Sequence, residues 1–98
     1  MSAYVVFTRE KTRSVDQLAK YKELTPQSFK EYPVKVLASH GRQETLEGPT
    51  AEDVLILQFK TYEEAKAWYE SPAYKAACVH RFQGGDYRAI LTEGHEES

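Results

Sequence analysis

At 98 residues the chain is one domain, because either half of a divided chain would be too small to bury a core of its own. Lysine and arginine number 13 against 15 aspartates and glutamates, a formal charge of −2, so nothing in the balance favours a nucleic-acid backbone or an anionic membrane. The single cysteine, Cys78, excludes an intrachain disulfide and a thiolate metal cluster within one chain; MSAYVVF at the start has neither a long apolar run nor a basic leader, so we expect a cytoplasmic protein with no membrane span.

Tyr4 to Arg9, rich in β-branched and aromatic residues, reads as the first strand, with Lys11 to Arg13 a polar connection. Ser14 and Gln17 have capping-box spacing and open a helix whose Val15, Leu18, Tyr21 and Leu24 recur near helical spacing. Thr25-Pro26 interrupts it, which predicts a kinked or two-piece helix; Phe29 and Tyr32 extend the apolar stripe until Pro33 ends it. Val34 to His40 is the second strand, Gly41 permits a bulge or bend, and pairing is expected to resume through Thr45 and Leu46 before the Gly48-Pro49 turn. Asp53 to Lys60 is the clearest strand. Thr61 with Glu64 is a second capping box for a helix through Tyr62, Ala65, Trp68 and Tyr69. Ser71 caps a further helical piece beginning at Pro72 and carrying Tyr74, Ala77, Cys78 and Arg81 roughly on one side, until Gly84-Gly85 stops it. Tyr87 to Thr92 is the last strand, and the domain 1–94 ends in a short acidic tail, 95–98. The order β-α-β-β-α-β predicts an α+β, ferredoxin-like fold: a four-stranded antiparallel sheet with helices on one face.

Alternation exposes a difficulty. In DVLILQFK, Val54, Ile56 and Gln58 point one way and Leu55, Leu57 and Phe59 the other, and Tyr4 and Val6 likewise oppose Val5 and Phe7. An antiparallel sheet with one wet face alternates more cleanly. A second copy of the chain, related by a twofold axis, is the simplest cover for the other face, so we expect a homodimer through sheet faces; the competing reading is scattered surface hydrophobics.

The segments LEG (Leu46 to Gly48), DVLILQF, YEEAKAWYESPAYKAACVHRF and ILTEG resemble the domain of unknown function 1330 family, most specifically at Ala65 to Tyr74. The resemblance spans Tyr4 to Gly94 and implies a dimeric α/β barrel of ferredoxin-like fold. It implies little chemistry, since the wider superfamily includes cofactor-free monooxygenases, lactone isomerases, haem proteins and members without known activity. Two departures stand out: Pro33-Val34 where relatives often carry a Gly pair, and Ser39-His40-Gly41 where they often carry Arg-Gly-Gly.

The natural pocket of such a fold lies between helices and sheet, expected here near the break between the two pieces of the second helix. Trp68, Tyr69 and Tyr74 offer flat walls with polar tips, although core packing is the simpler reading of these aromatics; Arg81 can clamp an anionic group, and a snorkelling or salt-bridged arginine explains it equally simply. His40 is the candidate for proton transfer, against the plainer reading of a hydrogen-bonded residue at a bulge. Glu44 and Glu47 are weaker candidates for a base. The histidines lack metal-ligand spacing, Cys78 reads as a buried small residue, and Gly84-Gly85 matches no phosphate-binding loop, so neither metal nor cofactor is expected. Three function classes remain to be weighed. The first is a cofactor-independent monooxygenase- or isomerase-like enzyme acting on a small apolar or anionic metabolite. The second is a non-catalytic dimeric ligand-binding or stress-related module. The third, an RNA-binding domain, lacks its signature aromatics in DVLILQFK.

Overall fold

Which side of the sheet the helices cover is decided by alternation within the two central strands. The structure is a computed structural model and describes residues 1–95; Glu96, Glu97 and Ser98 of the expected acidic tail lie outside them. The elements are β1 (Ala3–Thr12), α1 (Val15–Leu24), a 3-10 turn (Thr25–Phe29), β2 (Lys35–Ser39), β3 (Asp53–Phe59), α2 (Tyr62–Glu70), α3 (Pro72–Gly84) and β4 (Gly85–Glu93). The strands pair antiparallel in one four-stranded sheet, in the order β2-β3-β1-β4, which is the ferredoxin-like α+β arrangement. Ala3, Val5 and Phe7 of β1 share the helix-covered face with Leu57 and Phe59 of β3, and all are buried. Among the described residues no helix is long and apolar enough to cross a membrane.

The helical layer centres on Trp68, which is fully buried. Its ring stacks on Phe29 at 5.2 Å and meets Phe59 at 5.2 Å and Tyr74 at 4.2 Å, while its Nε1 donates to Ser28 Oγ at 2.9 Å. Such a ring keeps its apolar area dry and still satisfies its N–H. Ser71 caps in both directions: its hydroxyl donates to Trp68 O at 2.7 Å at the end of α2 and accepts from the Tyr74 N–H at 3.3 Å at the start of α3. Gly84 lets α1 and α3 close together, since a Cβ there would lie 2.5 Å from Leu18 Cδ2. Its carbonyl accepts from Arg13 N and Ser14 N.

Several local expectations are corrected. β1 runs on through Lys11 and Thr12, which pair with Asp86 and Gly85 past an irregularity at Glu10. Pairing does not resume at Thr45–Leu46; the segment is tied to itself instead, with Gln43 Nε2 donating to Ala51 O and Ala51 N to Thr45 Oγ1, and Leu46 is 85% exposed. The Ser14 box is one-sided. Ser14 Oγ accepts from Gln17 N, but the Gln17 side chain accepts from His80 Nδ1 at 2.7 Å instead of returning to Ser14. Val15, expected in the apolar stripe of α1, is 74% exposed and points away from the core.

Candidate functional site

The register places Asp53, Arg9 and Tyr87 side by side across β3, β1 and β4, at one end of the helix-covered face. β2 ends beside them at Ser39, and His40 follows with a φ of 55°, in the left-handed region that side chains other than Gly, Asn, Asp and His seldom adopt. The glycine expected to supply that turn, Gly41, is not the residue with positive φ. The turn aims His40 back at β3, where its Nδ1 donates to Asp53 Oδ2 at 2.5 Å. A carboxylate can only accept, so Nδ1 carries the proton and Nε2 is the basic nitrogen of the neutral ring. The side chain of His40 is half exposed and that of Asp53 is 16% exposed, the arrangement of an oriented and accessible base.

His40 and Asp53 open onto a cavity of about 220 Å³ between the sheet and the first helical segment. Leu18 and Tyr21 of α1 and Pro26 and Phe29 of the 3-10 turn form its roof; Phe7, Leu55 and Leu57 of the sheet and the ring of Trp68 form the rest of its apolar wall. Pro26 stands in the first turn of the 3-10 segment that follows α1 and lines this roof. Arg9 and Tyr87 complete the polar end. Arg9 donates through Nε to Glu52 at 3.2 Å, and the Thr12 hydroxyl donates to the same oxygen at 2.7 Å. The guanidinium of Arg9 is held above its ordinary range: burial opposes its charge, but Tyr87, Asp53 and Glu52 outweigh that cost.

The expected site residues are therefore divided. His40 and Trp68 line the cavity, whereas Tyr69, Tyr74 and Arg81 do not. The expected position near the α2–α3 break is corrected to the α1 side, because Trp68 and Tyr74 fill the break themselves. Tyr69 borders a separate pocket of about 250 Å³ with Val5, Tyr62 and Leu91. Tyr74 is fully buried, its hydroxyl 2.8 Å from that of Tyr21, and burial pushes both phenols up. Arg81 is 3% exposed, with its guanidinium over the rings of Phe7, Phe82 and Tyr87 at 4.9 to 5.2 Å and its Nη2 near Cys78 Sγ and the Tyr69 hydroxyl. Cation–π contacts of this kind offset part of the cost of burying a guanidinium. Cys78 is buried, and Glu44 and Glu47 are exposed in the β2–β3 connection, away from the cavity. Among the described residues no three His, Cys, Asp or Glu side chains converge as a metal site would need.

Asp53, Arg9 and Tyr87 were missed by the sequence reading. Asp53 had a signal: it continues the alternation Leu55, Leu57, Phe59 and so belongs on the covered face. Arg9 had the same kind of signal, since it continues the alternation of Val5 and Phe7, but its adjacency to Tyr87 depends on the β1–β4 register.

Comparison with known proteins finds no match among curated ones. Among solved structures, the protein of unknown function RPA0582 from Rhodopseudomonas palustris is similar at 19% identity and a TM-score of 0.70, over 98% of this chain and 84% of that one. A dimeric ferredoxin-like protein of unknown function from Jannaschia sp. CCS1 is similar at 10% identity and a TM-score of 0.72, over 96% and 100% of the two chains. SnoaB, a cofactor-independent oxygenase from Streptomyces nogalater, is similar at 8% identity and a TM-score of 0.66, over 98% and 95%. At these identities the likeness is one of fold. The family model for the domain of unknown function DUF1330 matches residues 2–95, nearly the whole chain, and the protein belongs to that family.

Proposed function

We propose that the protein binds a small, largely apolar molecule in this cavity and removes a proton from it without a cofactor, with His40 as acceptor and Asp53 as its orienting partner. The observation that carries the reading is the His40–Asp53 contact at the cavity mouth, made from a left-handed backbone position. Unusual backbone geometry held in place by the surrounding fold tends to collect at working sites. The carboxylate fixes the ring and stabilises the imidazolium that forms when Nε2 takes a proton. An enolate or carbanion made this way can react directly with dioxygen or be reprotonated elsewhere, which gives monooxygenase-like or isomerase-like outcomes. That a cofactor-independent oxygenase has a similar fold supports the first of these.

The working unit in this proposal is a homodimer joined through the uncovered sheet face. Ala38, Ile56, Val6 and Ile90 form an apolar row across all four strands of that face. Lys35, Gln58, Tyr4 and Thr92 border it on one side, with Val54, Thr8 and Arg88 on the other, so the flanking rows are mostly polar. An apolar centre with a polar rim is the anatomy of a protein interface, and the similar Jannaschia protein is described as dimeric.

Protein purified without a stripping step and analysed by mass spectrometry is expected to release a retained small molecule. With wild-type protein that molecule should exchange carbon-bound hydrogen for solvent deuterium. With His40→Asn it should still bind, and exchange should slow by about 10²–10⁴-fold. Retention without exchange in the wild type would make the protein a binding module instead of an enzyme.

A further inference from the structure

Arg9 is the guanidinium at the polar end of the cavity, one strand away from Asp53 and paired on its other side with Tyr87. It is held there firmly. Glu52 accepts from its Nε, Thr12 anchors that carboxylate, and the Glu52 N–H donates to the Arg9 carbonyl at 2.6 Å. Arg9 is partly exposed, whereas the buried guanidinium, Arg81, lies over the rings of Phe7 and Tyr87 and does not line the cavity. Lys22 also borders the cavity, but it lies on the exposed surface of α1. The rest of the lining is mostly apolar, Phe7, Leu18, Phe29, Leu57 and Trp68 among it, with Tyr21, Thr25 and Ser39 as its uncharged polar residues.

From this arrangement we infer that Arg9 stabilises the conjugate base of the bound molecule, so that the cavity selects a flat, mostly apolar compound bearing one weakly acidic hydroxyl, a phenol or an enol. The inference rests on the proposed role of His40 and extends it. When the O–H bond of the ligand ionises, its proton passes to His40 Nε2, the electron pair stays on the ligand oxygen, and Arg9 faces the charge that results. A fixed cation beside a mostly apolar cavity favours an anion more than the same cation does in water. A second charge on the ligand would have to sit against Leu18, Leu57 or Trp68 without a partner, so dianions are disfavoured.

The test uses 4-nitrophenol, whose phenolate absorbs visibly, and 4-nitroanisole, its neutral methyl ether. Binding of each to wild type, Arg9→Gln and Arg9→Lys is followed by calorimetry, and ionisation of bound nitrophenol by absorbance across pH, after circular dichroism establishes that each variant is folded. Wild type should prefer the phenolate by about tenfold, a shift of one unit in the ionisation of the bound ligand. Arg9→Gln should abolish the preference, Arg9→Lys should keep most of it, and nitroanisole should bind all three alike. Nitroanisole binding with no phenolate preference in the wild type, or a preference that survives in Arg9→Gln, overturns the role of Arg9 while leaving the cavity reading intact. Failure of both probes to bind wild type overturns the two together.

Discussion

On the covered face of the sheet Val5, Phe7, Leu57 and Phe59 are at most 3% exposed, whereas on the opposite face Val6 and Ile56 are only partly buried and Ile90 is 47% exposed. Both sets alternate along the same strands and are chemically alike. Residue type therefore does not distinguish the faces. What separates them is that α1, α2 and α3 all lie on one side. Folding of the protomer draws on the covered face, while the other face leaves apolar area that the proposed homodimer would bury.

The largest effect that sharpens this contrast is at Trp68. Trp68→Ala removes the ring that Phe29, Phe59 and Tyr74 pack around and leaves the Ser28 hydroxyl without its donor, and is expected to destabilise by about 3–5 kcal/mol in denaturant unfolding. A loss under 1 kcal/mol would mean that the covered face does not hold the fold.

Tyr74, also on the covered side, supplies a pH signature. Burial raises its folded-state ionisation above the ordinary value near 10. The unfolded phenol gives up its proton first, so the Tyr74 contribution is complete below about pH 10 and is lost as pH rises through the folded value. Above pH 10 its share of the loss should approach about 1.4 kcal/mol per pH unit, and Tyr74→Phe should remove that share from the alkaline limb. An unchanged alkaline slope in the variant would show that the hydroxyl is not kept protonated by the fold.

The smallest effect on stability belongs to the uncovered face. Ile56→Lys should alter protomer stability by only about 0.5 kcal/mol, yet sedimentation should show a lone protomer for the variant and a pair for the wild type. Wild type sedimenting alone, or an intact pair in the variant, would break the contrast between a folding face and an association face.

The candidate site was unevenly legible. His40 stood out by its chemistry and its place at a strand end, and Trp68 by its size and helical position. The geometry that joins them to Asp53 and Arg9 was not legible, because it depends on strand register and on a turn made by His40 instead of the adjacent glycine. Arg81 shows the opposite error. An arginine beside aromatic residues suggests an anion clamp, yet three rings enclose it and none of its nitrogens lines the cavity.

By itself the sequence determined the element order, the cap at Ser71 on the helical piece that begins at Pro72, the break at Thr25-Pro26 and the two-sided apolar alternation of the strands. These follow from short-range rules of capping, backbone restriction and side-chain period, which act over a few residues. Only the tertiary structure decided that the cavity opens under α1 instead of at the α2–α3 break, and that Asp53, Arg9 and Tyr87 stand in one row beside His40. Those placements depend on how far each helix stands off the sheet and on which residues the strands bring opposite one another, quantities that no local stretch of the chain contains.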